Sequence, residues 1–412
     1  MFLKIKNRLL PIWEKLPWPA LILFGIAALY GWIFKVDFPI PRYAEWDTLS
    51  MFEKKETAFP ATADGWPLIP QLITHLFYFF GGWNIRAFLA LNYLIYIADM
   101  ILLYRLIEKA AGSYSFLPFF FIPFFSDLNV WNLMETTALQ IHLTIFFGLW
   151  AADIGFQRLP TYRNSFFFLL FLALSVFSMN AVFATVVFFG WAFMELLQRK
   201  WRKVLGAFLL FFVIKSVSAL KAEVYFFSGF SEAFRKTVMS VSAALSGFDL
   251  ITDFHFILIL PVIGALLAVV YEKKLWKDRD TLTLLTIGLA FFFSAFQRVS
   301  LPLQPPFSFI SAGCGFVIFL VPVIFTLLRT VRPVFIYACC FAVLGYSADF
   351  SYRSFHTEAL FRKTALQCAR EYYSGTTHPA ACVWLQDKRL PAVLDQAKAL
   401  NLNFVRSLSS GD

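Results

Sequence analysis

Carboxylates crowd one short stretch of an otherwise apolar chain: Asp37, Glu45, Asp47, Glu53, Glu56 and Asp64 all fall between residues 36 and 66. A carboxylate held beside a sugar–phosphate bond can take the proton from an acceptor hydroxyl as that bond breaks, the general-base step of inverting glycosyl transfer. Asp47, in Tyr43-Ala44-Glu45-Trp46-Asp47, is the first candidate for that base, with Glu45 and Asp64 as neighbouring substrate contacts. Asp47 also suits the N-cap of a helix over 48–54, a role compatible with catalysis. The cluster as a whole has a plainer reading as a solvated acidic loop.

Glu135 is the second candidate, at the head of an apolar run and preceded by the polar segment 126–134. A carboxylate buried in lipid costs about 2.5–3.5 kcal/mol on insertion scales, so such groups face a cavity or a partner. At a helix N-terminus a carboxylate is also favoured by the dipole alone. Gln140 and His142 follow deeper along the same run. A phosphate leaving group calls for a cation, and Arg298, just ahead of Ser300-Leu301-Pro302-Leu303-Gln304-Pro305-Pro306, could hold one in bidentate contact. Lys215 is a second cation for that role, although snorkelling to an interface explains it as well. His75 is a further candidate substrate contact. Asp99 reads as structural, near the inner end of its run and within reach of water or Arg105. No P-loop, zinc-ligand spacing or EF-hand pattern appears, so no metal or cofactor is implied.

The elements that must position these groups are apolar. The chain is 59% hydrophobic with 53 Phe, only 15% of its residues are charged, and its mean hydropathy is +0.67. Its apolar runs approach the ~20 residues a helix needs to cross a bilayer, and they do not alternate as barrel strands do. An all-α, polytopic transmembrane bundle of about eleven spans is therefore expected, over 18–34, 87–104, 114–125, 138–152, 165–177, 181–197, 204–220, 254–271, 282–296, 309–328 and 334–346. The stretch 165–197 is too long for one span, and Ser178-Met179-Asn180 marks its break. The run 68–80 is short for a crossing, and Gln71, Thr74, His75 and Tyr78 give it one polar stripe. Pro70 suits its first turn, Gly81-Gly82 its end, and an interfacial helix fits best.

With 68–80 left outside the count, the basic clusters at the N-terminus, 105–109, 158–163, 199–203, 273–279 and 329–332 fall on one side. The positive-inside bias makes that side cytoplasmic, so the net charge of +10 marks membrane topology rather than nucleic-acid binding. The expected organisation is a membrane domain, 1–346, with an external loop at 35–86, followed by a polar external tail, 347–412. Cys368 and Cys382 are the tail's only thiols and suit a disulfide in an oxidising compartment.

The order of these features resembles the GT-C superfamily of membrane glycosyltransferases. The likeness starts at Glu45-Trp46-Asp47-Thr48-Leu49, an acidic position in the first external loop. It continues through Asp64-Gly65-Trp66-Pro67-Leu68 and the amphipathic helix closed by Gly81-Gly82. Next come Leu103-Tyr104-Arg105-Leu106 and the second acidic position, Glu135. Asp64-Gly65-Trp66 departs from the cationic motif of those families, which throws more weight on Arg298. The resemblance implies a sugar donor on a polyprenyl phosphate, a glycan or lipid-linked acceptor, and an active site at the outer face of a bacterial inner membrane, with Asp47 as base. The alternatives are a lipid-linked glycan flippase or transporter, or a glycan polymerase.

Overall fold

The computed structural model describes residues 68–81, 85–111, 139–157, 162–178, 181–219 and 278–299, with single helical positions between 353 and 367. All belong to the compact unit Phe38–Asp412. Every ordered element among the described residues is an α-helix: α1 Leu68–Gly81, α2 Ile85–Ala111, α3 Leu139–Gly155, α4 Tyr162–Val176, α5 Ala181–Leu197, α6 Trp201–Ala219 and α7 Arg279–Val299. Each of α2–α7 overlies one expected apolar run. The runs at 18–34, 114–125, 254–271, 309–328 and 334–346 lie outside the described residues, as does the proposed Cys368–Cys382 bridge.

Local chemistry sets the helix ends. Pro70 sits in the first turn of α1, where a missing N–H costs nothing, and Gly81 closes the helix. Asp278 caps α7: its carboxylate accepts the Thr281 N–H at 2.9 Å and the Thr281 hydroxyl at 2.5 Å. At the end of α5 the Lys200 N–H donates to the Glu195 carbonyl at 3.0 Å and the Arg199 N–H to Leu196 at 2.8 Å. Those two bonds form a Schellman motif with Arg199 left-handed at φ 59°. The expected break in 165–197 is present: α4 stops at Val176, Phe177 and Ser178 turn, and α5 starts at Ala181.

Pairwise contacts fix helix directions. His142 meets Asp99, while Asp153 meets Arg105 and Lys109, so α2 and α3 run parallel. The Ser175 hydroxyl donates to the Thr144 carbonyl at 2.9 Å, and Gly155 lies against Phe168, making α4 antiparallel to α3. Phe168 against Trp191 at 4.7 Å completes the α4–α5 hairpin. Trp191 under Lys203 and Phe188 stacked on Phe211 at 4.6 Å turn α6 back along α5. Phe183 against Phe291 and Gly190 against Thr286 do the same for α7. Hence α2, α3 and α5 point one way and α4, α6 and α7 the other. Gly148 and Gly190 permit these approaches, because a Cβ on either would collide with Phe183 or Thr286.

Many large apolar side chains of the described helices are exposed. Phe166, Phe189, Phe193, Trp201, Leu205, Leu209 and Phe212 are exposed. Asp99, His142, Asp153 and Glu195 are buried. No described helix is both long and apolar enough to cross a membrane. The 17 residues of α3 or α5 rise about 25 Å against a hydrocarbon core of ~30 Å. The longer α2 carries Asp99, Arg105, Glu108 and Lys109. Helix formation is observed on the six apolar runs within the described residues; crossing is not.

Candidate functional site

One group of polar side chains stands out deep in the bundle, and the helix directions bring a second set of chain segments to one end. The deep group lies on α2, where Asn92, Tyr96 and Asp99 share a face at i, i+4 and i+7. All three are buried. His142, near the start of α3, places Nδ1 3.5 Å from the Asp99 carboxylate and its ring edge-on to Tyr96 at 5.6 Å. Asp99 is 1% exposed and His142 3%. Among the described residues no Lys or Arg pairs with Asp99, and neither its oxygens nor the imidazole nitrogens complete a hydrogen bond. A buried carboxylate and imidazole with unused hydrogen-bonding capacity can receive a proton or a polar group of a ligand.

This corrects the expectation that Asp99 reaches water or Arg105. Arg105 pairs instead with Asp153 at 3.6 Å, and Lys109 donates to the same carboxylate. The reason is the parallel packing of α2 on α3. It brings Asp153 beside the last turns of α2 and leaves Asp99 opposite His142, further back along the same interface.

The end group is defined by helix directions. One end of the bundle holds the starts of α2, α3 and α5 and the finishes of α4, α6 and α7. The first turn of α1 joins it there, the Ile69 N–H donating to the Phe177 carbonyl at 3.1 Å. Further along α1, Phe77 touches Phe88 in the first turn of α2 at 5.6 Å. Asp64 stands four residues before Leu68, where α1 begins, and Glu135 four before Leu139, where α3 begins. Arg298 is the penultimate residue of α7, and the exposed Lys215 lies in the last turns of α6. His75 is exposed on α1 with Nδ1 2.9 Å from the Gln71 carbonyl. Glu45, Asp47, Asp64 and Glu135 themselves lie outside the described residues.

The polar stripe on α1 is only partly exposed. Gln71 and Thr74 are half-buried, while Leu72, Leu76, Phe79 and Phe80 are exposed. The Thr74 hydroxyl donates back to the Pro70 carbonyl at 2.7 Å and so needs no water. An apolar outer face suits a helix resting against lipid.

Sequence reading passed over two further carboxylates. Asp153 is 5% exposed and Glu195 0%. Glu195 meets Lys203 at 3.2 Å and Lys200 at 3.7 Å, and Lys203 also covers the Trp191 ring at 5.2 Å. Glu195 stands just before the basic cluster 199–203 that supplies its cations, a local sequence signal, whereas the cations on Asp153 come from α2 and leave no such signal. Among the described residues no group of His, Cys, Asp and Glu is arranged to hold a metal ion. Compared with known proteins, the chain matches no family model, no curated protein and no solved structure.

Proposed function

We propose that the chain is a polytopic membrane glycosyltransferase, moving a sugar from a polyprenyl-phosphate donor to a cell-surface glycan or lipid-linked acceptor. The observation that carries this reading is the sharing of one bundle end. The acidic segments leading to Asp64 and Glu135 enter their helices at the end where Arg298 and Lys215 finish theirs. A base on one side and phosphate-binding cations on the other are what inverting transfer needs. The membrane setting is supported by the inside-out surface, with exposed Phe and Leu around buried Asp, Glu and His. The alternating helix directions agree with an up-and-down path. The sequence supplies one apolar run between α2 and α3, which run parallel, and one between α6 and α7, which do too.

In this reading Asp47 is the base, Glu135 a second catalytic carboxylate, and Arg298 and Lys215 hold the donor phosphate. The test is transfer in proteoliposomes loaded with a polyprenyl-phosphate sugar. Asp47→Asn should lower turnover by roughly 10²–10⁴-fold with donor binding intact. Arg298→Ala should weaken donor binding instead, because it removes a charge-assisted contact. Full activity in a folded Asp47→Asn protein would sink the mechanism.

One observation favours a second reading, a lipid-linked glycan flippase. Asp99 and His142 form an ionisable pair well inside the bundle, where transporters place groups that follow a substrate or a proton. Asp99→Asn separates the two. A transferase working at the bundle end keeps its turnover within about threefold, whereas a flippase relying on the pair stops moving lipid.

A further inference from the structure

The corner between α5 and α6 joins a cationic cap to a lipid-sized apolar face. Lys200 and Lys203 are engaged by Glu195, whereas no carboxylate among the described residues pairs with Arg199 or Arg202. Both arginines are exposed. The Arg202 guanidinium lies over the Trp201 ring at 5.3 Å, a cation on an exposed aromatic. Arg199 occupies a left-handed position that glycine would fill at lower cost. Trp201 and Arg202 head a single exposed face of α6, which continues through Leu205, Phe208, Leu209, Phe212 and Val213 at helical spacing. The opposite face, Ala207 and Phe211, is buried. From residue 202 to 213 this stripe rises about 16 Å, close to half of a ~30 Å hydrocarbon core.

We propose that this corner binds an anionic phospholipid, its phosphate on Arg199 and Arg202 and its acyl chains along the exposed face of α6. Charge selects this occupant: a second copy of the chain would bring the same exposed arginines to the contact, whereas the lipid brings an anion. The site depends on the chain's lying in a membrane but not on the transferase reading, because lipid binding needs no donor sugar.

Native mass spectrometry of the full chain released from detergent, titrated with phosphatidylglycerol or phosphatidylcholine, tests it. The wild type should retain phosphatidylglycerol in preference. Arg199→Gly and Arg202→Gln should each weaken that retention about fivefold and together about 25-fold, with phosphatidylcholine unaffected. Arg202→Lys, which keeps the charge, should stay within about twofold of wild type. Arg199→Gly also relieves the left-handed backbone, so a loss of lipid in that variant is not a loss of fold. Equal retention of the two lipids, or a double variant that holds phosphatidylglycerol as tightly as wild type, overturns the proposal. A lipid-free dimer dispersed by Leu209→Ser would assign the face to a second copy and overturn it equally.

Discussion

Asp153 and Asp99 are buried carboxylates on one helix interface, yet their surroundings differ in kind. Asp153 has Arg105 and Lys109 from the facing helix, two cations whose stems run out to half-exposed ends. Glu195 repeats the arrangement with Lys200 and Lys203. Asp99 has only an imidazole, itself buried. The clamped acids fasten helix ends: the basic residues are anchored by their partners and their stems cover apolar surface. The Asp99–His142 pair, at 3.5 Å without a completed hydrogen bond, does not hold the two helices as the clamps do.

The largest effect should come from unclamping an end. Arg105→Met with Lys109→Met leaves Asp153 buried and unpaired, and should cost about 3–5 kcal/mol in a denaturant titration of the purified protein. Adding Asp153→Leu removes the stranded charge and should recover most of that loss. A cost below about 1 kcal/mol for the double cation variant would mean that water reaches Asp153, and the contrast with Asp99 would collapse.

A smaller response is expected of the deep pair. His142→Leu and Asp99→Leu each leave a buried polar group without its neighbour, so both should destabilise. The double change should lie near wild type, with a coupling of about 1–3 kcal/mol from the four proteins of the cycle. Single-variant losses with no coupling would show that the two side chains are independent and that their proximity has no consequence.

Much of the helical frame was legible because apolar runs and breakers are local signals. The run 181–197 became α5 without change, and Ser178-Met179-Asn180 marked the hairpin between α4 and α5. α2 outran its apolar stretch by most of two turns. Arg105, Glu108 and Lys109 end the hydropathy signal but are good helix formers, and two of them are held by Asp153. The deep pair was not legible, since it depends on α2 and α3 packing in parallel across forty-three positions, and no periodicity within either helix reports that. His142 stands out in the sequence as a polar residue inside an apolar run, but that it faces Asp99 follows only from the same packing. Of the end group, sequence supplied the residue types, and the helix directions supplied the fact that their chain segments share one end.

The smallest effect separates backbone from charge at the α5–α6 end. Glu195, Lys200 and Lys203 would hold this corner even if its turn were strained, and Arg199 at φ 59° is such a strain. A left-handed non-glycine residue costs roughly 1 kcal/mol relative to glycine, which has no Cβ to crowd the carbonyl. Arg199 takes no part in the Glu195 clamp, and its N–H bond to Leu196 is a backbone bond that glycine keeps. Arg199→Gly should therefore stabilise the protein by up to about 1 kcal/mol, less the entropy that glycine adds to the unfolded chain. Lys203→Met should move stability the other way, because it takes the nearer cation from a fully buried carboxylate. If Arg199→Gly destabilised the fold as much as Lys203→Met does, the guanidinium would have to be part of the clamp, and the corner would no longer divide into a structural half and a lipid-facing half.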